Sequence, residues 1–189
     1  MNSACYRSFR LLPALLLIAF MASACARGPV IRDRRVVVMD FENATHDAQY
    51  DGLAKGLAEM LTALLVNQDR VAVVERQDLA GSFAMARGDA SRWYEIARKA
   101  DLDYLVTGSV SSLDSNFVVN ARLLSVSTGQ IVKGSSITRS CNRVEDLYPV
   151  MEAVARNMGY SLKFLAEQHD RQALGQPMIA EGAPPIAQE

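Results

Sequence analysis

The chain is poor in the residues that catalysis most often uses. Its 189 residues include three cysteines, one tryptophan and two histidines. With His46 and His169 as the only imidazoles, a Ser-His-Asp triad would require His46 to meet a distant serine. Neither a G-x-S-x-G elbow nor the spacing of a phosphate-cradling P-loop occurs. Charge of one sign is also lacking, since 20 basic side chains face 21 acidic ones and no basic run is longer than Arg34-Arg35. Counterion release needs a concentrated basic face, so nucleic acid is excluded as a partner. What is present describes a globular protein: 50% hydrophobic and 22% charged residues exclude disorder and collagen-like sequence. The length fits roughly one domain of about 100 to 200 residues.

Residues 1–24 read as an export signal. Arg7 and Arg10 form a positive start, and residues 11–24 (LLPALLLIAFMASA) carry no charge. That stretch is shorter than the roughly 20 residues a membrane span needs. It ends in Ala22-Ser23-Ala24-Cys25, which resembles the lipobox of bacterial lipoproteins, although Ala22 stands where leucine is usual. The resemblance implies that Cys25 takes a diacylglyceryl group and an acyl chain such as palmitate and becomes the mature amino terminus. An ordinary A-x-A signal beside an incidental cysteine is the alternative. Without Cys5 and Cys25 only Cys141 remains, so no intramolecular disulfide can form, and that thiol is either buried or pairs between chains. The mature chain is slightly acidic, so the anchor works by hydrocarbon burial, roughly 0.8 kcal/mol per methylene. Ala26 after the lipid cysteine resembles the pattern sorted to the outer membrane of Gram-negative bacteria.

Residues 25–34 are a short polar tether, followed by a domain at residues 35–168 and a Gly- and Pro-rich tail, residues 169–189, expected to be disordered. Val36-Val37-Val38-Met39 is a continuous apolar run, as in a strand buried on both faces. Leu53, Leu57, Met60, Leu61 and Leu64 recur at helical spacing, as do Leu147, Val150, Met151, Val154, Met158, Leu162 and Leu165 in a long helix near the carboxyl end. Further strands are expected at residues 71–74 and 104–110, and helices at 78–86 and 91–99. A hairpin of residues 117–126 and 130–138 is expected to turn at Ser127-Thr128-Gly129. The fold class is α/β (α+β): a mixed sheet of about five strands covered by helices, in the order β-α-β-α-α-β-β-β-α.

These segments carry a resemblance. Val36-Val37-Val38-Met39-Asp40-Phe41-Glu42-Asn43, Val73-Val74-Glu75-Arg76-Gln77-Asp78-Leu79 and Asp103-Tyr104-Leu105-Val106-Thr107-Gly108-Ser109-Val110 resemble the curli secretion lipoproteins (CsgG-like). Val119-Asn120-Ala121-Arg122-Leu123-Leu124 and Ser127-Thr128-Gly129-Gln130-Ile131-Val132 continue it, and the same segments are similar to FlgO-like flagellar outer-membrane lipoproteins and the amino-terminal domain of TolB-like proteins. The resemblance implies an anticodon-binding-like fold and a lipoprotein on the periplasmic face of the outer membrane. It further implies assistance to an envelope machine by protein contact, as a homo-oligomer or as an adaptor, with no cofactor. Curli channels add two membrane hairpins to this domain. Here only residues 111–116 and 140–143 lie at those two positions, too few for strands of about 9–11 residues. Penicillin-binding-protein activators (LpoB-like) are a related alternative, but they reach through peptidoglycan on a long linker that this tether lacks.

Other candidate sites remain. Asp40, Glu42, His46, Asp47 and Asp51 crowd the loop after the first strand, where a hard cation could find oxygens or where the acids simply cap and solvate the loop. Glu75 and Arg76 are either a catalytic pair or a structural ion pair. Trp93 and Tyr94 are either an exposed partner contact or core packing beside Ile96. Asn43-Ala44-Thr45 matches a glycosylation acceptor that a bacterial export signal makes accidental. No catalytic residue and no metal ligand is assigned. The reading is a non-enzymatic envelope lipoprotein, with a small metal-binding periplasmic enzyme as the competing class.

Overall fold

In the computed structural model, residues 31–86, 90–113 and 116–178 are described. The chain divides into two units, Met1–Ile31 and Arg32–Glu189. The described elements of the second unit are, in order, β1 (Arg34–Val38), β2 (Glu42–Asn43), α1 (Asp51–Leu65), β3 (Val71–Val73), α2 (Ala80–Met85), α3 (Ala90–Lys99), β4 (Tyr104–Leu113), β5 (Asn116–Ser125), β6 (Ile137–Cys141) and α4 (Leu147–Ala173). Short 3-10 turns at Ala48–Tyr50, Arg76–Leu79 and Val144–Asp146 lead into α1, α2 and α4. No described helix is long and apolar enough to cross a membrane.

The sheet is mixed, as the sequence predicts. Its order is β3-β1-β4-β5-β6, with β2 added alongside β4. The pairs β1–β3, β1–β4 and β2–β4 are parallel, whereas β4–β5 and β5–β6 are antiparallel. Alternation decides which side chains meet which layer. Val36, Val38, Val106, Val119 and Leu123 project to one face and pack against Leu57 and Leu61 of α1 and Met151, Met158 and Leu162 of α4. Val37, Met39, Leu105 and Val126 form a second, smaller core with Phe83 of α2 and Ala97 of α3. The uninterrupted valine run of β1 thus serves two cores at once.

Three expectations are corrected. Residues 130–138 do not form one strand: a single bridge joins Leu124 to Ile131, and β6 begins only at Ile137. Between them Gly134 takes a φ of +75°, which an extended ladder cannot accommodate. Ser135 is fully buried in this turn, its Oγ donating to the Val132 carbonyl at 2.7 Å and accepting from the Leu123 N–H at 3.2 Å. The long helix continues past Gln168 and His169 to Ala173, its last turns held by Arg70, which donates to Asp170 at 2.7 Å. The region expected to be a disordered tail therefore begins as helix, and residues 179–189 lie outside the described ones.

The tether also yields its last residues to the fold. Arg34 opens β1, and Arg32 donates to Asp101 at 2.8 Å and to Asp103 at 3.0 Å. Asp103 organises this end of the sheet, because it also accepts from the Arg35 N–H at 2.9 Å and from Arg34 at 3.3 Å. The buried Arg34 guanidinium is only partly satisfied. Removing Asp103 would leave it uncompensated, a situation that typically costs several kcal/mol, about 3–5.

Candidate interaction surface

The acidic loop after β1 uses its side chains on its own backbone and neighbours. Asn43 donates to the Asp47 carbonyl at 2.8 Å and to Asp51 at 2.7 Å, while its Oδ1 accepts from Thr45 Oγ1 at 2.6 Å. Asp47 caps the following 3-10 turn by accepting from the Gln49 N–H at 3.0 Å, and His46 sits at a turn with φ of +62°. Asp40 pairs with Arg76 at 3.1 Å. Among the described residues no group of three or more His, Cys, Asp and Glu side chains is placed to hold a metal ion. The crowding of acids is a folding device for the loop. Arg76 pairs with Asp40 and Glu59 and donates to the Val38 carbonyl, so the pair expected with Glu75 is replaced by partners distant in sequence.

Trp93 and Tyr94 are half-buried and pack with Ile96 against the second core. The Tyr94 hydroxyl donates to the Gly129 carbonyl at 3.1 Å, so α3 clamps the turn after β5, where Gly129 supplies a φ of +70°. That geometry is the packing alternative. Cys141 is buried on the face covered by α1 and α4, and burial pushes its thiol pKa up, away from the reactive thiolate. Cys25 lies outside the described residues.

The sequence reading did not find the open half of the sheet. Where Val106, Val110, Val119, Ala121 and Ile137 turn into the main core, their neighbours Thr107, Ser109, Asn120, Arg122 and Thr138 turn the other way. There they line a cavity of about 290 Å³ together with Glu42. The register sets Thr107 opposite Arg122, Ser109 opposite Asn120, and Asn120 opposite Thr138. Arg122 Nε donates to Thr107 Oγ1 at 3.3 Å, and Thr138 Oγ1 donates to Asn120 Oδ1 at 2.7 Å. Glu42 arrives on β2, beside Ser109. The alternation Thr107-Gly108-Ser109 and Asn120-Ala121-Arg122 was visible in the sequence, but only the register brings the two polar sets onto one surface. Gly108 keeps the layers together: a Cβ there would lie 2.5 Å from the Phe41 ring and 2.6 Å from the Asn120 carbonyl oxygen.

Residues 21–143, more than half of the chain, match the family described as FlgO protein. The chain belongs to the FlgO protein family. The match falls on the FlgO arm of the resemblance and extends from the end of the apolar leader through β6. A search of curated proteins finds no match to this FlgO-family chain. Among solved structures, it is similar to the LpoB C-terminal domain from Salmonella enterica, at 22% identity and a TM-score of 0.49 over 67% of this chain and 93% of that one. A PelC dodecamer from Paraburkholderia phytofirmans aligns at 19% identity and a TM-score of 0.43, covering 71% of this chain and 91% of that one. TolB from Acinetobacter baumannii aligns at 16% identity and a TM-score of 0.42, over 76% of this chain and 30% of that one.

Proposed function

We propose that this FlgO-family chain is a non-enzymatic lipoprotein, anchored through Cys25 to the periplasmic face of the outer membrane, that supports assembly of the flagellar envelope machinery by protein–protein contact. The observation that carries this reading is the family match, which begins at Met21 and so includes the lipobox cysteine as well as the sheet through β6.

Two dimensions narrow the role further. Only residues 114 and 115 join β4 to β5, and β6 ends at Cys141 just before the turn Val144–Asp146 that opens α4. Neither link has room for a hairpin of membrane strands, each about 9–11 residues long, so a pore of the curli kind is not part of the proposal. Arg32 pairs with Asp101 and Asp103, and the seven residue steps from Cys25 to Arg32 can span at most roughly 25 Å. In this reading, with the anchor on Cys25, so short a reach argues against an activator that must span peptidoglycan.

The test is a Cys25→Ser variant in a strain lacking the wild-type chain. The variant is expected to move from the membrane fraction to the soluble periplasm, and swimming is expected to fall to the level of the deletion. Unchanged membrane partition would overturn the anchor, and wild-type swimming in the deletion strain would overturn the flagellar assignment.

A further inference from the structure

The open half of the sheet holds two unpaired charges of opposite sign on one small cavity. Arg122 uses Nε on Thr107, and among the described residues its two terminal nitrogens have no hydrogen-bond or ion-pair partner. The Glu42 carboxylate, exposed and lining the same cavity, likewise has no partner among the described residues. Elsewhere in the fold arginines commonly find acids: Arg32, Arg34, Arg70 and Arg76 each carry at least one ion pair. The strands keep Arg122 and Glu42 apart, with Ser109 and Asn120 standing between them in the register.

The lining excludes several ligand classes. One guanidinium is too little positive charge for a polyphosphate or a nucleic acid. None of the lining residues is aromatic, so there is no wall on which a sugar ring or a base could stack. Hydroxyl and amide groups from Thr107, Ser109, Asn120 and Thr138 form the floor instead, ready to hydrogen-bond a peptide-like group. At about 290 Å³ the cavity falls just below the roughly 300–1,000 Å³ typical of small-molecule sites, which suits only a small ligand.

We propose that this cavity binds a small zwitterion, a free amino acid or a short peptide with both termini uncapped. The planar fork of Arg122 takes the carboxylate in two parallel hydrogen bonds, Glu42 takes the ammonium, and the hydroxyl floor fixes the atoms between. The assignment rests on the sheet register and the two unpaired charges, and it stands whether or not the flagellar reading does.

Purified full-length chain in detergent micelles, isotopically labelled for NMR, is titrated in parallel with alanine, alanylalanine, N-acetyl-alanylalanine and alanylalanine amide. Saturable shifts centred on Thr107, Ser109, Asn120 and Thr138 are expected with an uncapped ligand, with a dissociation constant on the order of a millimolar. Tighter binding of alanine would assign a free amino acid, and tighter binding of alanylalanine a peptide. Each singly capped peptide should bind about ten-fold more weakly or worse, since it lacks one of the two charges. Arg122→Gln and Glu42→Gln, both at exposed positions, should each weaken the uncapped ligand by a similar factor. The proposal is overturned by an absence of saturable shifts, by equal binding of capped and uncapped peptides, or by shifts that persist unchanged in both variants.

Discussion

The two faces of one sheet have been given opposite jobs by a single alternation. On the face covered by α1 and α4, Val106, Val110, Val119 and Leu123 are fully buried among Leu57, Leu61, Met151, Met158 and Leu162. On the other face only the end near Leu105 and Leu124 is covered, by α3, and the strands beyond it carry Thr, Ser, Asn and Arg. Stability comes mainly from the first face, because fully burying a large aliphatic side chain contributes about 1.5–3 kcal/mol. The polar groups of the second add little to folding and are left for the binding proposed above. The difference shows how one alternation can give a sheet a dry face and a polar one: the helices of the second face cover only one end of it.

The sharpest way to break this comparison is to truncate each face in turn. Leu162 is fully buried under the sheet, and Leu162→Ala is expected to cost about 2–5 kcal/mol through lost transfer energy and the cavity left behind. Ser109→Ala on the open face should stay within about 0.5 kcal/mol, as surface substitutions do. Denaturant midpoints at unchanged slope measure both. Comparable losses would mean that the open face is covered in the folded protein.

A smaller effect separates two glycines. At Gly108 a methyl group would meet the Phe41 ring at 2.5 Å and the backbone oxygen of Asn120 at 2.6 Å. The oxygen cannot move without opening the β4–β5 ladder and the Phe41 ring is packed in the core, so Gly108→Ala is expected to destabilise by about 1–3 kcal/mol. At Gly159 in α4 the obstructing atoms belong to the end of the flexible Gln68 side chain. There the gain of about 1 kcal/mol in helix propensity offsets the displacement of Gln68, and Gly159→Ala should be nearly neutral. Thermal unfolding of the two variants checks the order, and a reversal would place the strain at the helix crossing instead of the sheet.

Legibility in the sequence followed the strength of local periodicity. The apolar stripe of α4 was readable because Leu147, Met151, Val154, Met158 and Leu162, all buried, repeat at helical spacing over many turns. The β1 run was readable for the same reason, since three successive valines fit only a strand with a core on each side. β6 was misplaced because Lys133-Gly134 interrupts the alternation, and the real strand, Ile137–Cys141, offers only five residues of pattern. The open face was hidden for a different reason. Glu42, Ser109, Asn120 and Thr138 are far apart in sequence and meet only through pairing register, which no local signal encodes. In the acidic loop, proximity in sequence left a cation site and a self-capping loop both open, and only the folded partners show Asp40 serving Arg76 and Asp51 serving Asn43.

The smallest expected effect probes the covered face with a proton. Tyr104 sits on the same side of β4 as Val106 and packs against the main core, while its neighbour Leu105 belongs to the second core. Burial raises the Tyr104 phenol pKa, Arg34 pulls it back and Asp103 pushes it further up. A pKa higher in the folded than in the unfolded chain means that the unfolded chain loses its proton first. Stability from this group is therefore intact below the ordinary phenol value of about 10 and is lost as pH rises from there through the folded pKa. Tyr104→Phe removes the titrating group while keeping the ring, so it should leave the denaturation midpoint nearly unchanged at neutral pH and make its decline above about pH 10 shallower. An alkaline slope identical to wild type would show that water reaches Tyr104 at the edge of the main core, and the contrast between a dry face and a wet one would then have to be redrawn at that end of the sheet.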